Sequence, residues 1–173
     1  MNLANRLTVL RVVLIPVFLV LLYLGFPGCR YCALAVFVIA SLTDFLDGHI
    51  ARSRNMVTTF GKFLDPLADK MLVFAALLWF CGEGRFPVWA MAVIAAREFA
   101  VSGLRMIAAG EGKILAAAWS GKIKTAATMI CIIVMFFPVP PVVDWICTAV
   151  IVITTVYSGV EYFVKNRGVI TFD

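Results

Sequence analysis

The chain has 173 residues, of which 63% are hydrophobic and 14% are charged, and its formal net charge is +5. A mean hydropathy of +1.01 excludes an ordinary soluble globular domain and indicates an integral membrane protein. The positive charge suits an anionic membrane leaflet or phosphate-bearing substrates, and by itself it does not choose between them.

The apolar residues fall in six blocks, at 7–24, 31–46, 63–80, 86–109, 123–137 and 142–164. Most blocks approach the roughly 20 residues that a helix needs to cross a hydrocarbon core of about 30 Å. The second and fifth blocks are shorter, so we expect their helices to extend into polar flanks or to cross a locally thin bilayer. Helix is favoured over strand because a membrane span must satisfy its own backbone hydrogen bonds. The sequence therefore predicts one all-α membrane domain over residues 1–173, with six transmembrane helices.

The connections between the blocks contain residues that end helices, namely GFPG at 25–28, GEGR at 82–85, GEGK at 110–113 and PVPP at 138–141. Basic residues then predict the orientation, because cytoplasmic connections carry the excess of lysine and arginine. One side of the predicted topology has only Arg30 and Arg85. The other side has Arg6, Arg11, Arg52, Arg54, Lys62, Lys70, Lys113, Lys122, Lys124, Lys165 and Arg167. We predict a multi-pass protein of the cytoplasmic membrane with both termini in the cytoplasm.

Four of the ten acidic residues lie around the second connection, as Asp44, Asp47, Asp65 and Asp69. The first two are three residues apart and the last two are four apart, so each pair lies on one face of its helix. Four carboxylates held together in a poor dielectric would raise one another's pKa, and a divalent cation removes this conflict. All-oxygen ligands favour hard ions such as Mg²⁺ or Mn²⁺, so the pattern predicts a metal site at the cytoplasmic helix ends.

Three small residues stand beside these acids, Gly48, Ala51 and Gly61, and they allow a ligand or another helix to approach the backbone closely. The plainer interpretation pairs the aspartates with basic neighbours such as Arg52 at the membrane boundary. It accounts for one or two carboxylates, but not for two matched pairs with a glycine beside each. A divalent-cation transporter is a second alternative, although its acids would be expected near the bilayer midplane.

A second group of candidate residues is basic. Arg97 and Arg105 lie inside the fourth block, where an arginine is costly unless it faces a polar cavity. We predict that they form a phosphate pocket with Lys122, because the planar guanidinium binds phosphate oxygens in pairs. Thr58 and Lys124 are further candidates for this pocket. The alternative for Arg105 is that its side chain extends to the membrane surface.

The spacing D-x2-D-G-x2-A-R-x8-G-x3-D-x3-D, which begins at Asp44, resembles the signature of the CDP-alcohol phosphatidyltransferase family in all eight fixed positions. Further similar stretches are NLANRLTVLRVVLIPVF, GKFLDPLADK, AREFAVSGLR, GKIKTAATM and SGVEYF. They cover the chain from end to end and are similar to the branch of the family whose acceptor is sn-glycerol 3-phosphate.

The resemblance implies an enzyme that displaces CMP from CDP-diacylglycerol with the acceptor's hydroxyl and forms phosphatidylglycerophosphate. It implies six helices, a homodimer in the lipid bilayer, and Mg²⁺ or Mn²⁺, two ions per active site, with no nucleic-acid partner. Another acceptor, such as inositol phosphate, would leave the metal site unchanged.

The resemblance also implies roles for single residues. The four aspartates correspond to the family's metal ligands, and Asp69 also corresponds to its proposed general base. Residues corresponding to those that bind CDP-diacylglycerol are Gly48, Ala51, Arg52 and Gly61, together with Asn5, Thr8 and Arg11. The last three share one face of the first helix. For Asn5 a helix-capping role is equally open.

Overall fold

The computed structural model describes residues 3–54, 59–110, 115 and 118–167, and it describes side chains for 9–10, 12–43, 70–110, 115 and 118–167. Six α-helices and no strand occur in these ranges, so the all-α prediction is confirmed there. The helices are α1 (Leu3–Tyr23), α2 (Cys29–Arg54), α3 (Thr59–Gly82), α4 (Val88–Gly110), α5 (Trp119–Phe136) and α6 (Pro141–Lys165).

Three of the four predicted turn stretches lie where helices end, and of the fourth, at 110–113, only Gly110 is described, as the last residue of α4. Gly25 and Gly84 have φ angles of 64° and 70°, in the left-handed region that glycine adopts without steric cost. At the other short connection, α5 ends at Phe136 and α6 begins at Pro141. Proline suits the first position of a helix because an N–H at that position would have no acceptor within the helix, so its absence costs nothing.

Two of the helices, α5 and α6, are long and apolar enough within the described residues to cross a membrane. Shorter apolar stretches occupy Val12–Tyr23, Cys29–Thr43 and Lys70–Gly82. The presence of six helices is thus observed, whereas six membrane spans remain a prediction.

The chain divides into two compact units, and the first is Met1–Leu77. Within it α1 packs against α2. The rings of Phe18 and Phe37 meet with their centroids 6.1 Å apart. Buried alanines precede and follow Phe37 by one helical turn, at Ala33 and Ala40. Because alanine is small, it lets two helices approach closely.

The second unit, Leu78–Asp173, contains the end of α3 and all of α4, α5 and α6. Helix α6 packs against both α4 and α5. Its outward face is apolar: Ile146, Ile153 and Val160 are 56%, 66% and 59% exposed. Its inward face carries polar groups that are fully buried, among them Thr155 and Ser158. This is the reverse of the pattern in a soluble protein and suits a helix surrounded by hydrocarbon.

An ion pair closes one end of the second unit. Arg85, in the connection between α3 and α4, donates from Nε to Asp144 Oδ2 at 2.9 Å and from Nη2 to Oδ1 at 2.7 Å. Its Nη1 donates to the carbonyl of Met135 at 2.7 Å, which satisfies an acceptor at the C-terminal end of α5. The hydrogen bond with Asp144 raises the pKa of Arg85 above its ordinary value. The guanidinium therefore binds the first turn of α6 and the last turn of α5 at the same time.

Candidate active site

The backbone of the four aspartates is helical, with Asp44 and Asp47 in α2 and Asp65 and Asp69 in α3. The spacings of three and four residues therefore place each pair on one face of an observed helix. Their side chains lie outside the described residues. As a donor set, four carboxylates supply only hard oxygen ligands, and this chemistry fits Mg²⁺ or Mn²⁺. Among the side chains that are described, no group of three or more His, Cys, Asp or Glu could hold a metal ion.

Most of the other candidate residues from the first three helices are described in the same way, by their backbone alone. They are helical in backbone, and their side chains lie outside the described residues: Asn5, Thr8, Arg11, Gly48, Ala51, Arg52 and Gly61. Thr58 lies outside the described residues altogether. The predictions for these positions therefore stay predictions.

Arg97 lies in α4 with its guanidinium bound at both terminal nitrogens. Nη1 donates to Glu98 Oε1 at 3.0 Å, and Nη2 donates to Ser158 Oγ at 2.5 Å. Its Nε is buried and has no hydrogen-bond partner in the described part of the chain. Gly159 makes room for the stem of this side chain, because a Cβ at position 159 would lie 3.1 Å from Arg97 Cγ. Arg97 thus joins α4 to α6.

Glu98 joins the same helix to α5. Its Oε1 also accepts a hydrogen bond from Lys124 Nζ at 2.5 Å, and the residue is only 6% exposed. The side chains of Arg97 and Lys124 are each 13% exposed. Among the described side chains, two cations share one carboxylate in a nearly dry environment, where electrostatic interactions are strong. Such a group attracts an anion.

Arg105 lies two turns further along α4 and is exposed. Its Nε donates to the hydroxyl of Tyr162 at 3.0 Å, and its Cζ lies 5.3 Å from the centre of the Tyr162 ring. Tyr162 is 2% exposed, so it provides a fixed support. Within the described ranges the two terminal nitrogens of Arg105 have no hydrogen bond. They are available to a ligand.

Lys122 takes a different direction from Lys124. Its Nζ lies 5.2 Å from the centre of the Trp119 ring, and Trp119 is 75% exposed. The structure therefore brings Lys124, Arg97 and Glu98 together, while Lys122 is exposed at the start of α5.

Sequence reasoning did not single out Ser158 and Tyr162, the residues of α6 that contact the two arginines. They lie four residues apart, inside the stretch SGVEYF, so they share a face of the helix. Polar side chains at helical spacing within an apolar span are the signal that could have identified them.

Comparison with known proteins gives a consistent result along the chain. The sequence model of the CDP-alcohol phosphatidyltransferase family matches residues 1–157. A CDP-diacylglycerol–glycerol-3-phosphate 3-phosphatidyltransferase of Bacillus subtilis is 41% identical, and the alignment covers 95% of each chain. A probable phosphatidylglycerophosphate synthase of Mycobacterium tuberculosis is 38% identical over 95% of this chain and 81% of the relative. A Salmonella typhimurium protein with the same name as the Bacillus relative is 36% identical over 96% of both chains.

Proposed function

The chain belongs to the CDP-alcohol phosphatidyltransferase family, and we propose that it transfers the phosphatidyl group of CDP-diacylglycerol to sn-glycerol 3-phosphate. The products are phosphatidylglycerophosphate and CMP, so the protein is a transferase of phospholipid biosynthesis. The observation that carries this conclusion is the near full-length alignment with relatives named for this reaction. The unbroken aspartate signature agrees with it.

We propose that the whole chain acts as one domain of six transmembrane helices, a homodimer in the cytoplasmic membrane, with both termini and the active site on the cytoplasmic side. Two observations support this. The outward face of α6 is apolar, as expected of a helix in lipid. The family match also runs without a break across the boundary between the two units. The orientation rests on the distribution of basic residues.

For the metal site we propose that Asp44, Asp47, Asp65 and Asp69 hold two Mg²⁺ or Mn²⁺ ions. The all-oxygen donor set and the matched spacing on two helices support this assignment. When bound, such ions neutralise the pyrophosphate and stabilise charge on the departing CMP.

The chain's own groups then position the reactants and move one proton. The acceptor's hydroxyl oxygen forms a bond to the phosphatidyl phosphorus, and the bond from that phosphorus to the CMP oxygen breaks. Asp69 takes the hydroxyl proton, in keeping with its place in the family signature. The small residues Gly48, Ala51 and Gly61 leave space for the cytidine, and Arg52 lies on the same side of the nucleotide. The α1 face with Asn5, Thr8 and Arg11 contacts the nucleotide phosphates.

For the acceptor we propose that the phosphate of glycerol 3-phosphate binds among the basic residues of the second unit. Arg97 and Lys124 share the carboxylate of Glu98, and Arg105 adds a third positive charge among the described side chains. The guanidinium fork of arginine matches the oxygens of a phosphate dianion. Lys122 and Thr58 remain further candidates for the same anion.

Release of CMP by the purified protein in detergent or liposomes tests the proposal. With CDP-diacylglycerol, glycerol 3-phosphate and Mg²⁺ or Mn²⁺ present, CMP should appear, and omission of any one ingredient should stop it. A panel of acceptors, with inositol phosphate and serine, should give the highest kcat/KM for glycerol 3-phosphate. A preference for another acceptor would overturn the acceptor assignment, and metal flux into liposomes without CMP release would favour a transporter.

The general base has its own test. Asp69→Asn should bind both substrates and lose most of its turnover, because the amide accepts no proton. If this variant kept the wild-type rate with metal and substrates bound, another group would be the base.

A further inference from the structure

The two arginines of α4 are held in different ways. Both terminal nitrogens of Arg97 are bound, to Glu98 and to Ser158. Arg105 is bound through Nε, at the hydroxyl of Tyr162, and by the face of the same ring. An arginine that is hydrogen-bonded only through Nε keeps its four terminal N–H groups for a ligand. An arginine whose two terminal nitrogens both donate to protein groups can no longer use them as a pair to bind two oxygens of one anion.

We propose that Arg105 is the direct ligand of the acceptor's phosphate and that Tyr162 is the positioning residue that holds Arg105 for it. In this proposal Arg97, with Glu98 and Lys124, joins the helices around the phosphate site and adds positive charge. The inference rests on the proposed function, because it needs a phosphorylated acceptor. It adds a residue that sequence reasoning did not identify and divides the roles of two arginines that the sequence left equivalent.

Tyr162 suits this role by its burial and its chemistry. At 2% exposure it has a fixed position, and its ring and hydroxyl contact the guanidinium at two points. A long arginine side chain is otherwise free to adopt many rotamers, and fixing it before the ligand arrives lowers the entropic cost of binding. The hydroxyl accepts a hydrogen bond from a charged donor, which is the stronger kind.

Tyr162→Phe removes only the hydroxyl and keeps the ring, so it separates positioning from packing. We expect the KM for glycerol 3-phosphate to rise about tenfold, the scale of a lost hydrogen bond to a charged group, with kcat and the KM for CDP-diacylglycerol unchanged. Tyr157→Phe is the matched control, since Tyr157 lies on the same helix but is 65% exposed. It should behave as the wild type.

A second variant decides the question even if Tyr162→Phe fails to fold. Arg105→Lys keeps the charge but lacks the Nε–H that Tyr162 holds, so we expect the acceptor KM to rise at least as far. In the double variant, Tyr162→Phe should add nothing to the effect of Arg105→Lys, because the hydroxyl acts through the guanidinium. A wild-type acceptor KM in Arg105→Lys, or independent effects in the double variant, would overturn the inference.

The proposed function and the role of Tyr162 can be tested separately. If the wild type releases no CMP with glycerol 3-phosphate, the proposed function is wrong and this inference falls with it. If the wild type is active and Tyr162→Phe, correctly folded, keeps the wild-type acceptor KM, only the role of Tyr162 is wrong.

Discussion

Removing either partner of the Arg85–Asp144 ion pair should lower the free energy of unfolding by about 3–5 kcal/mol. In Arg85→Met the Asp144 carboxylate, which is 9% exposed, loses its hydrogen bonds of 2.9 and 2.7 Å, and the Met135 carbonyl loses its donor. In Asp144→Leu the guanidinium, which is 19% exposed, keeps the Met135 carbonyl but loses the carboxylate. Arg85→Met leaves the carboxylate without its guanidinium, and Asp144→Leu leaves the guanidinium with the more distant carboxylate of Glu83, at 3.9 Å. The loss of the close pair is the main cost in each variant.

The double variant Arg85→Met/Asp144→Leu removes both charges and places an apolar side chain beside Phe80, whose ring centre lies 5.4 Å from Arg85 Cζ. The Met135 carbonyl then loses the guanidinium donor at 2.7 Å and the Phe137 carbonyl loses its weaker one at 3.4 Å, which together cost about 1–3 kcal/mol. We therefore expect the loss in the double variant to be at least about 2 kcal/mol smaller than the sum of the two single losses. Denaturant titration of the detergent-solubilised proteins, followed by tryptophan fluorescence, measures all three values.

Two controls sharpen this test. Because Asp144 raises the pKa of Arg85, the stabilisation is present below the ordinary arginine pKa and is lost only as pH rises far above neutrality. The measured losses should therefore agree at about pH 6 and about pH 8. Lys165→Gln breaks the exposed pair with Glu161 and should leave stability unchanged. Strict additivity in the double variant would refute the coupling, and single losses as small as that of Lys165→Gln would refute the pair's contribution.

Three further predictions concern the proposed active site. Glu98→Gln should lower the free energy of unfolding by about 3–5 kcal/mol in the same titration, because Arg97 and Lys124 would lose their shared carboxylate; an unchanged value would contradict the network. Gly159→Ala should displace Arg97 and gain no stability. By contrast Gly103→Ala, with no described atom within 4 Å of the added Cβ, should gain about 1 kcal/mol from helix propensity. A chelator should abolish CMP release and added Mg²⁺ or Mn²⁺ should restore it, whereas release that persists without metal would exclude a metal-dependent reaction.

The helices were predictable from the sequence because each apolar block is long and continuous. Every one of the six blocks corresponds to one observed helix, and the errors lie at polar ends. Helix α2 continues to Arg54, eight residues past its apolar block, and α5 begins at Trp119, four residues before its own. Hydropathy marks only the apolar part of a helix, whereas backbone hydrogen bonding continues through polar residues at its ends.

Partners of the basic residues were not predictable in the same way. The sequence places Arg97 and Arg105 on one helix, but their contacts come from α5 and α6, which are remote in the chain. Lys122 and Lys124 differ by about 200° around a helix, so only one of them can face inward. Helix α5 is apolar on nearly all sides, and its sequence therefore does not indicate which lysine faces inward. The packing of α4, α5 and α6 decides in favour of Lys124.

The two arginines Arg85 and Arg105 differ in how many of their N–H groups are bound by described protein groups, and this difference separates a structural role from a ligand-binding role within the second unit. Arg85 donates to a carboxylate at two nitrogens and to a carbonyl at the third, so its hydrogen-bonding capacity is directed at the protein itself. Arg105 uses one nitrogen on Tyr162, and within the described ranges its two terminal nitrogens have no hydrogen bond. Arg105 lies within a largely apolar helix, where an arginine is costly unless its charge serves stability or ligand binding. Because protein groups bind all three guanidinium nitrogens of Arg85 but, among the described residues, only Nε of Arg105, an incoming phosphate gains most at Arg105, at the opposite end of α4 from the ion pair.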